Sequence, residues 1–266
     1  MVAPVRAHHL AQMKAQGTPI AMITAYDALS ARIFDQAGID MILVGDSYGN
    51  TMLGYSSTIP VTLEEMKVAT GAVVRATERA FVVADMPFGS YEESDAQAVR
   101  SAVALMKLGA NAVKLEGGER RASAIKAITD AGIPVVAHVG FTPQAENALG
   151  GHRVQGRGDD GSAALRADAL AVQEAGAIAV VFEMVPEPIA TALTKELAIP
   201  TIGIGAGPHT DGQVLVWTDM AGMGDWRPKF AKAFGEVGAA LRQATDDYIA
   251  AVKDRSFPDE DHSFAK

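Results

Sequence analysis

Apolar residues in this chain come in short unbroken runs that close on a polar side chain. Examples are Met41-Ile42-Leu43-Val44 before Gly45-Asp46, Phe81-Val82-Val83-Ala84 before Asp85, Val135-Val136-Ala137 before His138 and Val180-Val181-Phe182 before Glu183. The run Ala112-Val113-Lys114-Leu115-Glu116 has the same form with a lysine inside it. Runs without polar alternation suit strands buried on both faces, as in a parallel sheet. The segments between them carry helical periodicity. Thr62 and Glu65 have capping-box spacing ahead of Met66, Ala69 and Val73, and Ser94 caps a stripe of Val99, Ala102, Val103 and Met106 that Gly109 ends. Further helices are expected over Val5 to Gln16, Ala28 to Ala37, Arg120 to Asp130, Ser162 to Ala175, after Pro186, and through much of Pro228 to Lys253. Pro19 to Thr24, Pro200 to Ile204 and Gln213 to Trp217 complete a set of eight strands, whereas Tyr48 to Pro60 and Gly140 to Gly161 read as loops. The second loop, about twenty residues rich in glycine with Arg153 and Arg157, has the length of a lid or binding loop.

Strands that alternate with helices at spacings of roughly 20 to 45 residues predict parallel βαβ units, and eight of them fit a (β/α)8 TIM barrel. The expected arrangement is a single domain over residues 1–266 with an N-terminal helix and an irregular tail from about 255. A doubly wound sheet is the alternative. The barrel is favoured because polar residues close most of the strands, whereas an open sheet gathers its site at one switch point.

Composition narrows the class. The 266 residues are 48% hydrophobic, enough for a large core, and no linker divides them. Cysteine is absent, which excludes disulfides and thiolate metal sites. No apolar run approaches the roughly 18 residues of a membrane span, and the first residues lack an apolar leader segment, so a cytoplasmic protein is expected. A net charge of -9 argues against a nucleic acid partner.

Strand parity then selects candidates. Lys114 and Glu116 are two apart and share a face, so in a barrel both point inward at the top, where Asp46, Asp85, His138 and Glu183 also converge. Carboxylates so crowded raise one another's pKa and require a counter-charge. An all-oxygen set points to a hard divalent cation, Mg2+ before Ca2+, with Mn2+ or Co2+ able to substitute. Each residue taken alone has a plainer explanation: Asp46 as a turn former, Lys114 and Glu116 as a rim ion pair, His138 as a structural histidine, Glu183 as a solvated strand end. Their coincidence carries the functional reading, which is metal-assisted enolisation of a small α-oxo acid. Gly203-Ile204-Gly205-Ala206-Gly207 is similar to a phosphate cradle, but Pro208 breaks the dinucleotide pattern and close backbone packing is favoured.

At these same residues the chain resembles the ketopantoate hydroxymethyltransferase family. The resemblance is nearly full-length and rests on Thr24-Ala25-Tyr26-Asp27, Leu43-Val44-Gly45-Asp46-Ser47, Ala84-Asp85-Met86-Pro87-Phe88, Val113-Lys114-Leu115-Glu116-Gly117-Gly118, His138-Val139-Gly140-Phe141-Thr142-Pro143-Gln144 and Ile202-Gly203-Ile204-Gly205-Ala206-Gly207, among others. It implies a barrel enzyme that moves a one-carbon unit from 5,10-methylenetetrahydrofolate to 3-methyl-2-oxobutanoate, giving 2-dehydropantoate. It further implies Asp46 and Asp85 as Mg2+ ligands, with Glu116 reaching the ion directly or through water. Ser47 and Lys114 would hold the oxo acid, His138 would line its pocket, and Glu183 would accept the proton. A homo-oligomer, often a decamer, is the implied assembly, and the folate contacts stay unassigned. The alternatives are another Mg2+-dependent enolising barrel of the isocitrate lyase and phosphoenolpyruvate mutase type, and an oxo acid-binding protein without turnover.

Overall fold

The computed structural model describes residues 3–264, and among these eight parallel strands close a barrel in sequence order. The strands are β1 (Ile20–Thr24), β2 (Met41–Val44), β3 (Phe81–Asp85), β4 (Ala112–Glu116), β5 (Val135–Gly140), β6 (Ala179–Glu183), β7 (Thr201–Ile204) and β8 (Gly212–Leu215), with β8 pairing back onto β1. The helices between them are α1 (Ala7–Gln16), α2 (Ala28–Gln36), α3 (Tyr48–Thr51), α4 (Leu63–Ala76), α5 (Asp95–Met106), α6 (Ala122–Asp130), α7 (Glu146–Leu149), α8 (Gly158–Glu174) and α9 (Glu187–Glu196). The expected barrel is therefore the observed one. The boundary residues follow the caps: Thr62 accepts from Glu65 N while the Glu65 side chain reaches back, and Asp27 and Ser94 cap α2 and α5.

Alternate residues of each strand fill the barrel. Ile20 and Met22, Met41 and Leu43, Phe81 and Val83, Ala112, Val136, Ala179 and Val181, Ile202 and Val214 form one buried cluster, and Leu10 of α1 joins it. Continuing the same parity up the strands brings Asp85, Lys114, Glu116, His138 and Glu183 to the carboxyl end, so the apolar layers below position the polar layer above.

Three expectations are revised. The loop from Tyr48 holds the single turn α3, where Tyr48 stacks 5.6 Å from the Tyr26 ring. The loop after β5 contains a 3-10 turn at Pro143–Ala145 and then α7, so it is partly helical. Trp217 opens a short helix, α10 (Trp217–Ala221), instead of ending β8, and the long C-terminal helix α11 is confined to Val237–Asp254. The glycines after β7 are there for packing: a Cβ on Gly203 would meet Thr210 Oγ1 at 2.7 Å, and one on Gly207 would meet Glu187 Cγ at 2.5 Å. The chain divides into two compact units, Met1–Val216, which contains the whole barrel, and Trp217–Lys266. No described helix is long and apolar enough to cross a membrane.

Candidate active site

The register of the sheet builds the site. Asp85 of β3 stands opposite Lys114 of β4, Glu116 opposite His138 of β5, and Gly140 opposite Glu183 of β6. These pairings become contacts at the barrel mouth. Lys114 Nζ lies 2.9 Å from Asp85 Oδ1 and 3.6 Å from Glu116 Oε1. His138 sits between two acids, with Nδ1 3.3 Å from Glu116 Oε1 and Nε2 3.2 Å from Glu183 Oε2. Asp46 lies past the end of β2, out of phase with its inward residues, and enters because the chain turns at Ser47; its backbone N–H donates to Asp85 Oδ2 at 3.1 Å. Ser47 Oγ is 2.7 Å from the Tyr26 hydroxyl. Asp46, Asp85, Lys114, Glu116, His138 and Glu183 thus meet at one mouth, where the Glu183 side chain, 16% exposed, is the most exposed of the acids, while Ser47 follows Asp46 in the chain and contacts Tyr26.

Electrostatics at the mouth are strained. Burial, and then Asp85 and Glu116, push the Asp46 carboxyl well above the usual range, and burial raises Asp85 despite Lys114 beside it. Burial also acts to raise Glu116, but Lys114 and His138 prevail and hold it below the ordinary value. Burial opposes charge on Lys114 as well, yet its three acidic neighbours outweigh this and keep the ammonium protonated. His138 is pushed up to about 9, because Glu116 and Glu183 overcome burial and the nearby ammonium. Part of the counter-charge for these carboxylates therefore comes from Lys114 and His138.

Excess negative charge remains. Asp85 Oδ1 and Glu116 Oε1 are buried without a hydrogen bond of regular geometry. Among the described residues no group of three or more His, Cys, Asp or Glu side chains is arranged to hold a metal ion. The donor set nevertheless suits Mg2+, which is held by one or two carboxylates together with water and substrate oxygens in preference to an all-protein cage. Asp46, just past the end of β2, and Asp85, the last residue of the adjacent β3, suit that requirement.

Gln144 and Tyr91 were not singled out by their residue types. The Gln144 side-chain amide donates to Asp46 Oδ2 at 2.8 Å and to the Met86 carbonyl at 3.0 Å, while its backbone N–H donates to Glu116 Oε2 at 2.9 Å. The Tyr91 hydroxyl donates to Gln144 Oε1 and accepts from Glu116 N at 3.2 Å. One neutral residue therefore fixes two acids, Asp46 through its side-chain amide and Glu116 through its backbone N–H. The available signal was its place, six residues past a strand-end histidine in a glycine-flanked loop. Gly140 has a comparable structural duty: its φ is +96°, and a Cβ there would lie 2.4 Å from the Glu183 carbonyl oxygen.

Fold comparison places this barrel beside a phosphoenolpyruvate phosphomutase from Streptomyces platensis subsp. rosaceus, with a TM-score of 0.65 over 94% of this chain and 88% of the other, at 16% identity. At that identity the likeness concerns the fold alone. Sequence relatives are much nearer. A 3-methyl-2-oxobutanoate hydroxymethyltransferase from Rhodococcus jostii (strain RHA1) is 59% identical over 97% of this chain and 90% of its own length. One of the same name from Leifsonia xyli subsp. xyli (strain CTCB07) is 55% identical over 98% of this chain and 94% of its own. The family model described as ketopantoate hydroxymethyltransferase matches residues 4–260, a span that takes in every strand of the barrel and each acid at its mouth. With the family model and the sequence relatives in agreement over nearly the full chain, the protein belongs to the ketopantoate hydroxymethyltransferase family.

Proposed function

We propose that the enzyme transfers a hydroxymethyl group from 5,10-methylenetetrahydrofolate to 3-methyl-2-oxobutanoate, forming 2-dehydropantoate for pantothenate and coenzyme A synthesis. The names of the relatives supply the oxo acid. The observation that carries the chemistry is the juxtaposition of one buried ammonium, two buried aspartates and a rim glutamate at the barrel mouth.

Asp46 and Asp85 would hold Mg2+, with Glu116 as the third acid of the site. When bound, the ion supplies Lewis acidity at the oxo acid's carbonyl, which favours loss of the C3 proton. Lys114, kept cationic by its acidic neighbours, receives the substrate carboxylate. Ser47, oriented by Tyr26, donates to the oxo acid, and His138 lines the pocket while holding Glu183 in place. Glu183, at the end of β6 and the most accessible acid of the set, removes the C3 proton. The resulting enolate carbon attacks the folate-borne methylene, and water supplies the hydroxyl oxygen as the folate nitrogen leaves. A positioned base of this kind contributes about 10^2- to 10^4-fold. In keeping with the family resemblance, the working form is a cytoplasmic homo-oligomer, a decamer.

Proton NMR of 3-methyl-2-oxobutanoate in deuterated water tests this directly. The C3 hydrogen signal should vanish with Mg2+ and persist with EDTA, and 2-dehydropantoate should appear once tetrahydrofolate and formaldehyde are added. Exchange without product points to a different enolising barrel, and absence of exchange with Mg2+, Mn2+ or Co2+ overturns the assigned chemistry.

A further inference from the structure

A cleft of about 680 Å³ opens beside the acid cluster, with Glu116, Gln144, Arg120 and Arg121 among its lining residues. Its walls include Ile59, Phe88, Leu149 and Leu165, and Phe88 is 47% exposed although it is a large apolar ring. The volume is that of a site for an extended small molecule.

Charge in the cleft is divided unevenly. The three acids that line it each accept from backbone amides: Glu92 Oε2 from Gly89 N at 2.8 Å and Tyr91 N at 3.1 Å, Asp168 Oδ1 from Glu119 N at 2.9 Å, and Glu116 Oε2 from Gln144 N at 2.9 Å. The two arginines have no carboxylate partner among the described residues. Arg121 lies over the Tyr91 ring, 5.7 Å from its centroid, and Tyr91 in turn hydrogen-bonds within the acid cluster. In a chain of net charge -9, two unpaired guanidiniums lining one cleft form an anion-receiving end.

The chain is built to hold them there. Gly118 passes so close to α8 that a Cβ would overlap the Asp168 carboxylate at 2.0 Å, and Gly117 has φ +119°. The 3-10 turn Glu119–Arg121 follows immediately, so the clamp on the glycines fixes where both arginines emerge. Arg153 and Arg157, the arginines of the long loop after β5, do not line the cleft.

We propose that this cleft is the one-carbon donor site, taking a folate with its planar rings against Phe88 and Ile59 and the carboxylates of its glutamate tail on Arg120 and Arg121. The inference rests on the folate-dependent transfer proposed above. An exposed aromatic wall suits a flat heterocycle, and a paired guanidinium rim suits carboxylates.

The test compares the unaltered chain with the double variant Arg120→Ala/Arg121→Ala in steady-state kinetics, using 5,10-methylenetetrahydrofolate made from tetrahydrofolate and formaldehyde. Loss of two charge-assisted contacts should raise the donor KM by about ten- to a hundredfold, while the KM for 3-methyl-2-oxobutanoate moves by less than about twofold. Arg120→Lys/Arg121→Lys, which keeps the charge, should recover part of that loss. The pteroate form of the donor, which lacks the glutamate tail, should bind the unaltered chain as weakly as the full donor binds the alanine variant, and the variant should no longer distinguish the two. An unchanged donor KM in the alanine variant, or a variant that still discriminates between the donors, overturns the cleft assignment and leaves the transfer reaction standing. An unaltered chain that neither exchanges the C3 hydrogen nor forms 2-dehydropantoate overturns the reaction itself, and the donor site with it.

Discussion

Polar groups gather at two ends of this barrel, and the two gatherings are built on opposite terms. At the amino end of β7 and β8, Asp211 Oδ2 accepts from Lys14 Nζ at 2.7 Å, from Thr201 N at 2.8 Å and from Thr201 Oγ1 at 3.0 Å. Lys14 also donates to the Thr194 carbonyl, and the Thr194 and Thr201 hydroxyls are 2.8 Å apart. One acid meets one ammonium, and the surrounding donors are used. At the carboxyl end, Asp46, Asp85 and Glu116 share Lys114 and His138, whose pKa Glu116 and Glu183 push up, and buried oxygens are left without regular hydrogen bonds. Saturation marks the end that stabilises, and frustration marks the end that reacts.

Predictions that break this contrast come in descending size. Glu183→Gln should lower the C3 exchange rate by about 10^2- to 10^4-fold with little change in thermal midpoint. Exchange at the native rate in that variant, measured in deuterated water, would remove Glu183 from its role. Asp211→Ala should act in the opposite way, costing about 2 to 3 kcal/mol in urea unfolding because Lys14 and Thr201 lose their common partner. Its kcat per folded molecule should stay within about twofold, so a large loss of kcat without loss of stability would show that the two ends are not separable.

Asp46→Asn should sharpen the contrast, since it removes one of the crowded charges while retaining an isostere. Stability without metal should hold or rise by about 1 kcal/mol, whereas the Mg2+-dependent rise in melting temperature expected of the unaltered chain should shrink. An equal Mg2+ response in both proteins would mean that Asp46 does not hold the ion. Thr201→Val, the smallest change, should cost about 1 kcal/mol for its hydroxyl and leave activity alone. A cost near zero would mean that the Asp211 network is satisfied without it.

Much of the fold was legible because parallel strands are buried on both faces, so that runs such as Phe81-Val82-Val83-Ala84 cannot be mistaken for surface helix. The end-of-run positions of Asp85, Glu116, His138 and Glu183 located the mouth for the same reason. Register supplied what spacing alone did not: which acid stands opposite which base depends on the Lys114 to Asp85 and His138 to Glu116 pairings across strands. Gln144 carried no charge and sat in an aperiodic loop, so nothing local disclosed that it bridges Asp46 and Glu116. The counter-charge was expected from a bound cation, and Lys114 supplies part of it because its four-carbon stem reaches between strands. The turn α3, over Tyr48-Gly49-Asn50-Thr51, has poor intrinsic helix propensity, and tertiary packing of Tyr48 on Tyr26 accompanies it.

Gly140 has a bearing on how this enzyme can be changed. Its missing side chain is what allows β5 to run against the Glu183 carbonyl. For a laboratory effort to widen the range of oxo acids accepted, side chains facing the pocket can be varied, but position 140 sets where Glu183 stands. A methyl group there would press on the Glu183 carbonyl oxygen and displace the strand end that carries the carboxylate. Libraries that hold this glycine fixed will sample substrate shape, and libraries that release it will sample the placement of Glu183.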